Sequence, residues 1–202
     1  MWFLWGSRNK LIHERKMKSR REILMKVLRY LVEIDGLTER RNTLNTAKSP
    51  NQRDTNPRVT IHFDTAFNSR DFKSMAGVVV WDQMGVLLTT KTVLNLNVSS
   101  SFAAEAYAGL HAVKLGISMG FHSVTIKGDS CTVIKKCQTK VRNKPVIGAI
   151  ISDIQRQSEY FQEIRFQFIN RTENSLAHRI AKEALRREEE TYLEGEALHC
   201  LH

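Results

Sequence analysis

The sequence predicts an α/β fold, a mixed sheet flanked by helices, preceded by a helical extension rich in Lys and Arg. Three observations predict it. From Val59 onward apolar and polar residues alternate with a period of two, the mark of strands. Past Ser101 the apolar spacing lengthens to three and four, the mark of helices. Three strand-like runs come first, and helix and strand alternate after them, which builds a meander continued into a mixed sheet with helices against it.

Size and composition bound the rest. The chain has 202 residues, 42% hydrophobic and 26% charged, which excludes collagen-like and wholly disordered readings. No apolar run approaches the ~18 residues of a membrane span, so no membrane partner is expected. Cys131, Cys137 and Cys200 form no C-x-x-C pair, against a disulfide framework or zinc finger. The apolar start, Met1 to Trp5, stops at Gly6 and is too short for a signal peptide. An intracellular location is expected, nucleus or cytoplasm, with the chain acting as a monomer.

The elements follow in order. Residues 1–35 are the extension. Over 8–34, Ile23, Val27, Leu31 and Ile34 share one helical face, widened by Leu24 and Leu28, while Arg15, Lys16, Lys18, Arg20, Arg21, Lys26 and Arg29 line the other. Such a helix packs on its own domain or a partner, or lays its basic face along a phosphate backbone; packing is the commoner use. Residues 36–58 lose periodicity and contain Pro50 and Pro57, as a linker does. Val59, Ile61 and Phe63 then alternate with Thr60, His62 and Asp64 in the first strand. Met75–Trp81 and Val86–Val93 are two more, joined by Asp82-Gln83-Met84-Gly85 with glycine available for positive φ.

A long helix from about Ser101 carries Phe102, Ala106, Leu110, Val113 and Ile117 in one stripe and ends at Gly120. Ser123–Lys127 is a short strand and Ser130–Gln138 a short helix. After Pro145 a helix runs from Val146 to about Tyr160, and Ile164–Ile169 is the last strand. Asn174 caps a final helix with Ala177, Ile180 or Ala181, and Ala184 turned inward. The domain spans 59–187, and 188–202, opening on Glu188-Glu189-Glu190, reads as an acidic tail.

The net charge is +10 and unevenly spread. Residues 1–58 hold 14 Lys and Arg against 6 Asp and Glu, residues 59–181 hold 14 against 9, and residues 182–202 hold 3 against 6. A basic arm of this kind suits a polyanion, nucleic acid or an anionic membrane face, or simply keeps the chain soluble.

Three carboxylates sit where small or apolar residues are expected. Asp64 interrupts the first strand, although Asp is depleted in strands. Asp129 ends the strand after the long helix, where it could also cap the next helix. Glu105 lies in the first turn of the long helix among alanines, where the helix dipole alone would favour it. If the strand ending at Asp129 pairs parallel to the first, all three converge at one end of the sheet. Carboxylates that close need a cation to stay ionised, and oxygen-rich clusters bind Mg²⁺ or Mn²⁺.

His62-Phe63-Asp64-Thr65-Ala66, Ala104-Glu105-Ala106, Gly128-Asp129-Ser130 and Asn174-Ser175-Leu176-Ala177-His178-Arg179-Ile180-Ala181-Lys182 resemble the plant reverse-transcriptase-like branch of the ribonuclease H family. The resemblance covers about 59–187. Leu4-Trp5-Gly6-Ser7-Arg8-Asn9-Lys10-Leu11-Ile12 is similar to the connector that precedes this domain in plant non-LTR retroelement proteins, as in the end of a domesticated or truncated element.

The resemblance implies a ribonuclease H-like fold with a five-stranded mixed sheet, and endonucleolytic hydrolysis of RNA in RNA–DNA hybrids with Mg²⁺ or Mn²⁺, two ions in all. It implies that Asp64 bridges both ions, that Glu105 and Asp129 hold the second, and that Thr65, Ala66, Ser130 and Asn174 lie along the nucleic acid. The basic residues Lys135, Lys136, Lys140, Arg142 and Lys144 could meet its backbone, though a solvated helix end is their commoner use. His178 stands where the fully active family pattern has a fourth carboxylate, as is common in this branch; it is a catalytic candidate or a packing residue. The loop Ile169-Asn170-Arg171-Thr172-Glu173 lacks the family's His, and Thr65 replaces its usual Gly. These departures point to slow turnover or none, so a catalytically silent module binding hybrid or double-stranded RNA is the alternative.

Overall fold

Ten residues, Val59–Asn68, form β1, the strand on which the rest of the sheet is organised. In a computed structural model of the protein, residues 58–139 and 145–194 are described. The expected helical extension 1–35, the linker up to residue 57, the basic residues Lys140, Arg142 and Lys144, and residues 195–202 lie outside them.

β2 (Lys73–Trp81) and β3 (Leu87–Asn95) continue from β1 as an antiparallel meander. Asp82 makes the expected turn between them: its Oδ1 accepts from the N–H groups of Met84 and Val86, and Gly85 takes φ +77°. Then follow α1 (Ser101–Ser118), β4 (Ser123–Gly128), α2 (Cys131–Gln138), α3 (Pro145–Ser158), β5 (Glu163–Phe168), α4 (Ser175–Arg187) and β6 (Tyr192–Glu194). The sheet order is β5-β4-β1-β2-β3-β6, with β4 parallel to both β1 and β5. The predicted mixed sheet flanked by helices is therefore present.

The five-stranded expectation is exceeded by β6, which pairs antiparallel with β3. Its sequence lies in the stretch read as an acidic tail. Leu193 is buried, at 4% exposure, and Thr92 N–H donates to the Thr191 carbonyl at 2.8 Å. Two of the glutamates before it, Glu188 and Glu190, are engaged. Lys73 Nζ reaches Glu188 Oε1 at 2.8 Å, and the Leu94 N–H donates to Glu190 Oε1 at 2.6 Å. Carboxylates at a sheet margin find backbone donors there, which charge counting alone misses.

One face of the sheet meets α1 and α3. Ile61 and Phe63 of β1, Val78 and Val80 of β2, and Ile126 of β4 share a core with Val113, Leu115, Ile151 and Ile154. Gly128 makes room for this packing, since a Cβ there would come within 2.5 Å of the Phe63 ring. On the other face α4 lies against β1 and β2. A Cβ on Gly77 would stand 2.4 Å from the Ala177 carbonyl oxygen, so helix and strand touch at backbone distance. Both close contacts flank the residues considered next.

Two sequence expectations shift locally. No acidic residue lies in the first turn of α1, so Glu105 sits one turn deeper and the dipole argument for its charge loses force. Asn174 occupies the N-cap of α4, but its side chain does not cap the helix.

Candidate metal centre

The parallel pairing of β1 and β4 places Phe63 opposite Gly128, so the residues that follow, Asp64 and Asp129, emerge side by side. The alanine-rich face of α1 lies close enough to bring in Glu105. Asp64, Glu105 and Asp129 each offer a carboxylate oxygen, and these lie within 4.8 Å of one another. Asp64 has no exposed surface. Its Oδ1 accepts from the Thr65 N–H at 2.6 Å, while Oδ2 is buried without a hydrogen-bond partner. Glu105 Oε2 is orphaned in the same way.

Burial and mutual repulsion make this arrangement costly for bare anions. Desolvation, reinforced by the Asp129 charge, pushes the Asp64 carboxyl up to about 7, against the smaller pull of the Thr65 N–H and Arg171. Desolvation together with Asp64 and Asp129 pushes Glu105 up to about 8. The cluster must take up either protons or a cation near neutral pH.

Asn174, fully buried, ties three elements together: its Nδ2 donates to the Phe63 carbonyl at 2.8 Å and lies 3.3 Å from Asp129 Oδ1. This is why it fails to cap α4. His178, one turn on, brings Nδ1 to 3.1 Å from Asp64 Oδ2, close in distance but not aligned as a hydrogen bond. Partial burial and the Arg171 and Lys182 charges hold its imidazole below the usual range, against the opposing pull of Asp129.

Arg171 is the residue that sequence reasoning missed. Its Nη1 lies 3.4 Å from Asp129 Oδ2, and its Nη2 lies 3.0 Å from Nδ1 and 3.1 Å from Nε2 of His178. An atom equally near both ring nitrogens cannot lie in the ring plane without striking Cε1. Nη2 therefore lies over the imidazole face, with its N–H directed at the ring. Only its position three residues before Asn174 set it apart from the other arginines of a basic chain.

The remaining candidates scatter. Thr65 is largely buried and its hydroxyl donates to the Met75 carbonyl at 3.2 Å, so its side chain is turned into the fold. Ala66 is half-buried next along β1, and Ser130 is the N-cap of α2 without a side-chain capping bond. Lys135 and Lys136 lie in the last turn of α2, and Lys135 is exposed. A recess of about 590 Å³ lined by Cys137, Gln155, Ile164 and Phe166 contains none of the carboxylates.

The donors fit a divalent cation. Two buried carboxylate oxygens lack partners, and all three acids are hard oxygen ligands of matching charge.

The sequence model of the reverse transcriptase-like family matches residues 62–184, a span that contains Asp64, Glu105, Asp129 and His178. No curated protein matches the chain. Among solved structures, the chain is similar to ribonuclease H1 from the halophilic archaeon Halobacterium salinarum NRC-1, with 22% identity, coverage of 64% of this chain and 98% of that one, and a TM-score of 0.60. It is also similar to the N-terminal ribonuclease H domain of a Mycobacterium tuberculosis protein, at 19% identity, 65% and 95% coverage and a TM-score of 0.59. A third is a ribonuclease H1 isolated from compost, solved in complex with an RNA/DNA hybrid, at 20% identity, 64% and 98% coverage and a TM-score of 0.58. At such identities the likeness is one of fold, and the fold is that of ribonuclease H.

Proposed function

The chain belongs to the reverse transcriptase-like family, and on that premise we propose that it is a metal-dependent endonuclease of ribonuclease H type that hydrolyses RNA in RNA–DNA hybrids. One observation carries the reading: carboxylates from β1, α1 and β4 converge, and two of their buried oxygens have no partner. Asp64, Glu105 and Asp129 would hold Mg²⁺ or Mn²⁺, two ions in the full assembly, supplying positive charge for the phosphate oxygens and a nucleophile at neutral pH.

The chain's own groups have distinct parts. Asp64 is held by the Thr65 N–H on the central strand, so its free oxygen is fixed before any ligand arrives. Asn174 orients Asp129 from α4. Arg171, its side chain 63% exposed, stands at the rim beside Asp129, where a cation can meet a substrate phosphate. His178 brings an imidazole to Asp64 where a charge would otherwise stand. Lys135 and Lys136, with Lys140, Arg142 and Lys144 farther along, would follow a phosphate backbone. The hybrid would be recognised by shape and 2′-hydroxyls rather than base sequence. Plant non-LTR retroelement origin belongs to the same proposal and is supported by residues Leu4–Ile12.

A silent binder of hybrid or double-stranded RNA is the second reading, favoured by the Arg171–Asp129 ion pair and by His178 in place of a fourth acid. Incubation of a labelled hybrid with the full chain and Mg²⁺ or Mn²⁺ separates the two. Cleavage abolished by Asp64→Asn supports the enzyme. No cleavage above the Asp64→Asn control, with salt-sensitive binding that survives Asp64→Asn and Asp129→Asn, supports the binder.

A further inference from the structure

His178 does more than replace a carboxylate. Its Nδ1 stands 3.1 Å from Asp64 Oδ2, the oxygen that has no hydrogen-bond partner. Arg171 Nη2 lies over the face of the ring, at 3.0 and 3.1 Å from the two nitrogens, so it leaves the in-plane side of Nδ1 open. This contact also restrains the ring: α4 holds its backbone against β2, and the guanidinium bears on its face. A nitrogen donor is thereby aimed at the carboxylate cluster, and one positive charge is placed beside Asp129.

We infer that His178 is an ion-selecting ligand, turning the site into one of three carboxylates and one imidazole that prefers Mn²⁺ and later first-row transition ions over Mg²⁺. The inference rests on the carboxylate cluster being the metal centre proposed above. Mg²⁺ is held almost wholly by oxygen and by charge, keeps its waters, and gains little from a neutral nitrogen. Mn²⁺ shares the carboxylate preference of Mg²⁺ but begins the first-row transition series, whose members accept imidazole nitrogen more readily. Removing one negative charge, and setting Arg171 beside another, therefore weakens Mg²⁺ binding more than Mn²⁺ binding.

Binding of Mn²⁺ to the full chain is followed by electron paramagnetic resonance, with Mg²⁺ measured by competition, for the unmodified chain and for Asp64→Asn, His178→Asp and His178→Gln. Folding of each variant is checked by circular dichroism. The unmodified chain is expected to show pulsed-resonance nitrogen modulation from a coordinated imidazole. His178→Asp and His178→Gln should both lose it, and His178→Asp should narrow the Mn²⁺-over-Mg²⁺ preference by about tenfold. Binding that depends on Asp64 but shows no nitrogen modulation, or an ion preference unchanged in His178→Asp, overturns the inference and leaves the metal centre standing. Mn²⁺ affinity unchanged in Asp64→Asn overturns the metal centre itself, and the inference with it.

Discussion

Burial first, with Asp129 acting on Asp64 and with Asp64 and Asp129 acting on Glu105, raises the two carboxyls to about 7 and about 8, against ordinary values of 3.8 and 4.5. Linkage then fixes a sign. Between the unfolded and folded values the native state binds more protons than the unfolded chain, so ion-free stability falls as pH rises from about 4 to about 8. In melts without divalent ions, Glu105→Gln should flatten this slope and raise the midpoint at pH 8 by on the order of 5 °C. A slope identical to that of the unmodified chain would show that the carboxyls are not paired as described. Excess Mn²⁺ at pH 8 should restore the unmodified chain, since a bound cation replaces the protons. These two acids were legible in the sequence because an Asp inside a strand and a Glu among helical alanines both carry a desolvation cost that packing does not repay. Arg171 was not legible. An arginine in a loop of a basic chain has no anomaly of type, and only the folded position of Asp129 and His178 gives it one.

The elements carry these residues through two backbone-close contacts. At Gly77, α4 rests on β2 with no space for a methyl group, and at Gly128 the Phe63 ring fills the same kind of gap on the opposite face. Gly77→Ala should lift α4 from β2, costing about 1–3 kcal/mol in a denaturant titration. Because Asn174 and His178 ride on that helix, the variant should also lose Mn²⁺ affinity, whereas Gly85→Ala, in the exposed hairpin turn, should leave it unchanged. The strand and helix order was readable from periodicity, since each element buries one face. The parallel register of β1 and β4 stood only as a condition, because pairing partners distant in sequence leave no local pattern. β6 was unreadable for a related reason: three residues are too few to show a period, and the charged run before them has its partners on β2 and β3.

At the scale of the molecule, charge and chemistry occupy different parts of the chain. Residues 1–58 carry 14 Lys and Arg against 6 acids, while the acids of the cluster belong to the folded domain. Deleting residues 1–57 should therefore weaken hybrid binding and reduce its salt dependence, because fewer counterions are released, without changing Mn²⁺ affinity. Equal salt slopes for the two forms would remove the arm from the interface. The sixth strand bears on how such shortened pieces behave. Leu87–Asn95 would present a row of free backbone donors and acceptors were Tyr192–Glu194 not laid along it, and such a row recruits strands from other molecules. A piece ending at Arg187 would keep every residue of the metal centre and still be prone to self-association. Its carboxylates would be intact, and its solubility would not.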